Sequence, residues 1–125
     1  MNFKKIINYE NPKLGIKILR IGLGLTILWF GVMQLLNQSN WTGYVPVWVE
    51  NIFPFISLEV IVIINGLFET LTGILLVFNK FVKISSILLS IHLIIIIIDL
   101  GINEIGVRDI GILTGLISLY LIYKK

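Results

Sequence analysis

Apolar residues in this chain gather in four long blocks, Leu14–Asn37, Ser57–Phe78, Phe81–Leu100 and Gly106–Tyr123, separated by short polar stretches. Each block is close to the ~20 residues needed to cross the hydrocarbon core of a bilayer. Backbone N–H and C=O groups in lipid must pair within the chain, which leaves only helices or a closed barrel. The blocks are too continuous for the alternating pattern of a barrel strand, and even the β-branched run Ile94–Ile98 lies inside a span of helical length. The pattern predicts an all-α fold, an integral membrane four-helix bundle with helices at about 14–37, 57–78, 81–100 and 106–123.

Composition agrees. Hydrophobic residues make up 57% of the chain, above the ~45–50% of a soluble protein. A soluble domain of 125 residues would bury one such block but not four, because small domains leave much of their surface wet. One membrane domain over residues 1–125 is expected. The basic start resembles the n-region of a signal peptide, yet the following apolar run exceeds the ~7–15 residues of an h-region and Arg20 interrupts its start. No small-x-small cleavage site follows in Asn37–Asn40, so the first block is expected to be retained.

Charge orients the bundle. Lys4, Lys5, Lys13, Lys17 and Arg20 precede or open the first block, Lys80 and Lys83 flank the turn between the second and third, and Lys124 and Lys125 close the chain. The two opposite loops hold no lysine and carry Glu50 and Glu104. Short Lys/Arg-bearing loops stay cytoplasmic, so both termini are expected there, in the cell membrane, as a multi-pass protein. The net charge of +3 reflects that anchoring, and no nucleic-acid patch is read from it. With no cysteine, thiol nucleophiles, thiolate metal sites and Cys-ligated iron–sulfur clusters are excluded. His92 is the lone histidine, so no multi-histidine metal site is expected within the chain.

Residues three, four and seven apart share a helix face. Arg20, Gly24, Ile27, Gly31 and Gln34 form such a stripe in the first block. Gly66, Glu69, Thr70 and Gly73 form one in the second, with Asn65 beside it. Ser85, His92 and Asp99 align in the third, and Arg108, Gly111, Gly115 and Ser118 in the fourth. Small residues let membrane helices approach and polar ones bond across them, so the plain reading is four packing seams.

Ionisable residues among them ask for more. Glu69 lies near the middle of its span, where a charged side chain costs roughly 2.5–3.5 kcal/mol on insertion scales and marks a candidate functional site. On a rise of about 1.5 Å per residue Glu69 is about 18 Å below the outer end of its helix and His92 about 12–14 Å below that of the next. A contact between them, direct or through water, fits that geometry and would serve to relay protons or bond a polar head group. The plainer alternative pairs Glu69 with a neighbouring hydroxyl such as Thr26 or Ser90 and leaves His92 as a satisfied core histidine. At the outer rim Asp99, Arg108 and Asp109 are brought close by the short connection Gly101–Val107. They form either a structural ion pair or a site for an anionic or carbonyl-bearing ligand. Asp109 falls in the first turn of its helix, where a carboxylate favours the N-terminus.

The first outer loop, Asn40–Phe55, is rich in aromatics and prolines, with Trp41, Tyr44 and Trp48 on one face at spacings three and four. Pro46 can begin a short helix there and Pro54 can end it. Such rings belong at the membrane interface. The segment is either a belt anchor or a lid over a cavity open to lipid.

The sequence resembles the DoxX family. In the first block LRIGLGLTILWFGVMQLL is similar to the family's Arg, Gly, Phe/Gly and polar positions; NGLFETLTGILLVF is similar to its Gly-x-x-Glu-x-x-x-Gly element; VRDIGIL is similar to its basic-Asp-apolar start. Gln34 stands where the family often has Lys. Arg20, Gly31, Glu69, Gly73, Arg108 and Asp109 carry over. The resemblance implies a four-helix membrane protein attached to redox metabolism, often within a larger assembly; it fixes no cofactor, and a quinone-like ligand is the candidate that suits a cavity under the aromatic loop. It does not imply that this chain turns over a substrate.

Three readings result. In the first, the chain is a redox-associated subunit that binds quinone, with Glu69 and His92 handling protons. In the second, it is a noncatalytic assembly subunit, docking other membrane proteins or a second copy through glycine faces. The third is a small proton-coupled exporter, disfavoured because the glutamate lies in the second helix and the lysine bias is strong.

Overall fold

The computed structural model describes residues 11–124, so Lys4, Lys5 and Lys125 of the basic cluster lie outside the described residues. These residues fold into four long helices, α1 (Pro12–Leu36), α3 (Leu58–Val77), α4 (Val82–Leu100) and α5 (Glu104–Tyr123), with a short helix α2 (Val47–Ile52) in the first loop. Two 3₁₀ turns, Gln38–Asn40 and Thr42–Tyr44, lead into α2. No strand occurs among the described residues. At about 1.5 Å per residue the shortest long helix, 19 residues, spans about 28 Å and so matches a bilayer core.

Local chemistry sets the helix starts within one or two residues of the expected ones. Asn11 caps α1 by accepting from Leu14 N at 3.2 Å, with Pro12 in its first turn. The Ser57 hydroxyl accepts from Val60 N at 3.3 Å at the start of α3, and Asn103 Oδ1 accepts from Gly106 N at 2.8 Å at the start of α5. Pro46 sits at the N-cap of α2. The α3–α4 turn is tight: Asn79 and Phe81 both adopt left-handed backbone, at φ 59° and 49°.

Large apolar side chains mostly face outward. Ile18, Leu25, Leu67, Leu71, Ile98 and Leu121 are all more than half exposed. Lipid tails are as apolar as leucine, so no hydrophobic force draws these groups inside, and the helices are held by close packing. The tightest pair is α1 with α3, running antiparallel. A Cβ on Gly31 would stand 2.5 Å from Thr70 N, and one on Gly73 would stand 2.7 Å from Leu28 N. Gly24 meets Val77 and Gly66 meets the Gly31 carbonyl in the same way. The first-block stripe (Arg20, Gly24, Ile27, Gly31, Gln34) is the buried face of α1.

The second pair is α4 with α5, closed by Leu89, Leu116 and Leu119. Here the expected fourth seam is corrected. Gly115 packs on Leu23, but a Cβ on Gly111 would meet nothing within 4 Å, and Ser118 is exposed and bonds back to its own helix at Thr114 O. Leucine rather than the small-residue stripe makes this contact. The two pairs meet each other less closely, which leaves room between them. One end of the bundle carries Lys13, Lys17, Lys80, Lys83 and Lys124 (the lysine end); the α1–α3 and α4–α5 connections lie at the other (the loop end).

Candidate functional site

The glycine contact of α1 and α3 determines what stands one turn further along. Gln34 follows Gly31 by three residues, and its Cβ is 3.1 Å from where a Cβ on Gly66 would be. Glycine at position 66 keeps that path clear, since a Cβ there would press on the Gln34 side chain. There Gln34 Nε2 donates to Glu69 Oε2 at 2.8 Å and to its own helix at Phe30 O at 3.1 Å. Asn65, one turn before Glu69 on α3, donates from Nδ2 to Gln34 Oε1 at 2.6 Å and to Glu69 Oε1 at 3.2 Å. Both carboxylate oxygens therefore accept an amide N–H, and both amides have each N–H occupied.

From α4, His92 brings Nε2 to 3.5 Å from Glu69 Oε1, beyond hydrogen-bond length for a neutral pair but within ion-pair reach. Its ring meets Phe68 edge-on at 5.2 Å between centroids. His92 Nε2 is buried and has no hydrogen-bond partner among the described residues. Most buried polar atoms find one, so an open ring nitrogen here asks for an explanation.

The cluster forms the polar wall of a cavity of about 650 Å³ between the two helix pairs, lined otherwise by apolar side chains such as Ile27, Leu89, Leu93 and Ile112. Cavities of about 300–1,000 Å³, apolar with a few convergent polar groups, are typical ligand sites. At the loop end Trp41, Tyr44 and Trp48 also line it. Arg108 and Asp109 complete that end: Arg108 donates through Nε and Nη2 to Asp109 Oδ1 at 3.2 and 3.1 Å, and Asp109 is buried. The Arg108 guanidinium lies over the Phe30 ring, 4.7 Å from its centroid. Phe30 meets Trp41 edge-on at 5.8 Å, and Trp41 meets Tyr44 at 5.7 Å. A cation and three rings in edge-on and tilted contact thus tie the loop to the bundle.

Of the residues singled out in the sequence, Glu69, His92, Arg108, Asp109, Trp41, Tyr44 and Trp48 share this cavity. Arg20 and Asp99 do not. Arg20 is at the lysine end, where Nη1 donates to the carbonyls of Leu76 at 2.6 Å and Val77 at 2.8 Å, capping the C-terminus of α3. Asp99 is exposed and does not meet Arg108, correcting the expected rim pair: Arg108 turns inward to Phe30 and takes its own neighbour Asp109. Thr26 and Ser90, the hydroxyls weighed as partners of Glu69, bond instead to carbonyls of their own helices, Gly22 O and Ser86 O, at 2.8 and 2.7 Å. Two further site residues are not among the sequence candidates: Gln34, read as a stripe member and as the polar position where the family often has Lys, and Asn65, read as lying beside the second stripe. The i, i+4 spacing of Asn65 to Glu69 was the available signal for one; for Gln34 it was its place one turn past Gly31. No group of three His, Cys, Asp or Glu residues able to hold a metal ion occurs among the described residues.

Four apolar helices of bilayer length, with a partly buried acid held by two amides between them, define a multi-pass membrane protein. A family model, DoxX, matches residues 15–101, and the chain belongs to the DoxX family. That match runs from α1 through the end of α4, so Arg108 and Asp109 on α5 lie beyond it. No curated protein and no solved structure matches the chain.

Proposed function

We propose that this chain is a redox-associated membrane subunit whose central cavity binds a hydrophobic ligand with a hydrogen-bonding head, of which a quinone is the leading example. The observation that carries the reading is His92, whose side chain lines an otherwise apolar cavity of about 650 Å³ while its buried Nε2 lacks a hydrogen-bond partner among the described residues. A ligand carbonyl or hydroxyl placed there satisfies the ring nitrogen, and Glu69, 3.5 Å from it, stands ready to exchange a proton with it. The apolar wall takes the ring and chain of such a ligand, and the Trp41–Tyr44–Trp48 face covers the loop end. The lysine end faces the cytoplasm of a cell membrane, so the aromatic loop is on the outer side.

The noncatalytic assembly reading is weakened by one observation: Gly24, Gly31, Gly66 and Gly73 are engaged between α1 and α3, so those faces are not free to dock another protein. Purification in a gentle detergent from the native host, followed by mass spectrometry of bound lipids and proteins, tests the proposal. A quinone-class molecule recovered near one per chain, and lost in Glu69→Gln, supports it. A stoichiometric protein complex that Glu69→Gln assembles and runs as well as wild type supports the assembly role instead.

A further inference from the structure

A second, smaller cavity, about 300 Å³, opens at the lysine end, remote from the first. Lys13, Lys17 and Arg20 enter it from one face of α1, at spacings of four and three. Asn79 reaches it from the α3–α4 turn and Tyr123 from the last residue of α5. Arg20 is 6% exposed. Its Nη1 is fixed on the α3 carbonyls, while its Nε is buried and without a partner among the described residues. All five side chains offer N–H or O–H donors, three carry positive charge, and no acid lines the cavity among the described residues.

We propose that this cavity is a binding site for a phosphate group. A phosphate presents only acceptor oxygens and negative charge, which matches a wall of donors and cations that includes one buried guanidinium N–H without a partner among the described residues. Ile16 and Ile122 give the same cavity an apolar side, and its residues lie in the first three turns of α1, in the α3–α4 turn and at the last two positions of α5, at the depth of a lipid headgroup. The phosphate of an anionic phospholipid satisfies both features, with its glycerol and first methylenes against the isoleucines; free phosphate satisfies only the first. The site is independent of the central cavity.

The test uses the purified full-length protein, with native mass spectrometry reading retention of phosphatidylglycerol and of phosphatidylcholine. Lys13→Gln/Lys17→Gln is compared with Lys80→Gln/Lys83→Gln, which removes the same charge from the same end but outside the cavity; circular dichroism confirms that both pairs fold. Phosphatidylglycerol affinity falls at least tenfold in the first pair and stays within twofold in the second, while phosphatidylcholine is bound weakly by all. Equal retention in wild type and Lys13→Gln/Lys17→Gln, equal loss in both pairs, or equal binding of the two lipids overturns the proposal. Inorganic phosphate then separates the sources. Binding of phosphate alone, with the same dependence on Lys13 and Lys17, supports a soluble ligand; lipid binding that millimolar phosphate leaves intact supports the headgroup.

Discussion

Replacing Gly31 by Ala tests how the site is held together. The added Cβ would lie 2.5 Å from Thr70 N, 2.6 Å from Thr70 Oγ1 and 2.9 Å from Gly66 O. Two of these three are backbone atoms, which no rotamer change can move. Ordinary contacts lie near 3.5 Å, so α1 and α3 must part locally by about 1 Å. Overpacking of this kind costs roughly 1–3 kcal/mol. The Gln34–Glu69 bond, 2.8 Å in the native protein and one turn away, stretches beyond hydrogen-bond range; such bonds in membranes contribute about 0.6 kcal/mol on average. A total loss of about 1.5–3.5 kcal/mol results. Gly22→Ala is the internal control, since nothing lies within 4 Å of its Cβ; it should stabilise by up to about 1 kcal/mol through helix propensity. The assay is reversible unfolding of the purified protein in mixed micelles against increasing SDS, followed by far-UV circular dichroism. Midpoints that shift together, or a Gly31→Ala variant within about 0.5 kcal/mol of wild type, would refute the reasoning.

Other outcomes follow from the same contacts. Arg20→Gln removes the cation that caps the Leu76 and Val77 carbonyls; unfolding in SDS should register a loss of about 3 kcal/mol, and Arg20→Lys should recover part of it. Gly106→Ala drives a Cβ into the Gly101 carbonyl oxygen, so the start of α5 cannot form as it stands; a fall in expression and thermal stability larger than for Gly111→Ala, where the space is open, is the expected result. Gln34→Leu leaves Asn65 Nδ2 with Glu69 Oε1 as its remaining acceptor and should lower ligand retention in the purified protein while the bundle still folds, as read by gel filtration.

How far the sequence reaches can be judged from particular residues. Helix number and type followed from block length, since lipid forces the backbone to pair locally. The first-block stripe was legible because glycines at spacing seven have little other use amid Ile and Leu. The mid-span acid and its histidine neighbour were legible from depth along two antiparallel helices. The direction of a side chain at a helix end was not: Asp99 and Arg108 are near in sequence, yet one faces out and the other folds over Phe30. That choice depends on a ring from α1, which spacing within α5 cannot show. Arg20 was misleading for a related reason. A cation in an apolar stripe suggests a place beside Glu69, but Arg20 stands at the lysine end, on the carbonyls that close α3. Gln34 and Asn65 gained their importance only when the glycine contact set the register of α1 on α3.

The single histidine of this chain offers the most direct measurement. In untagged protein labelled with ¹⁵N-histidine, His92 alone reports, and its Nε2 resonance can be followed while a short-chain quinone is added. A saturable shift of Nε2 is expected, present in wild type and lost or much weakened in Gln34→Leu. An Nε2 resonance that stays unmoved at saturating quinone, or that moves equally in both proteins, would contradict it.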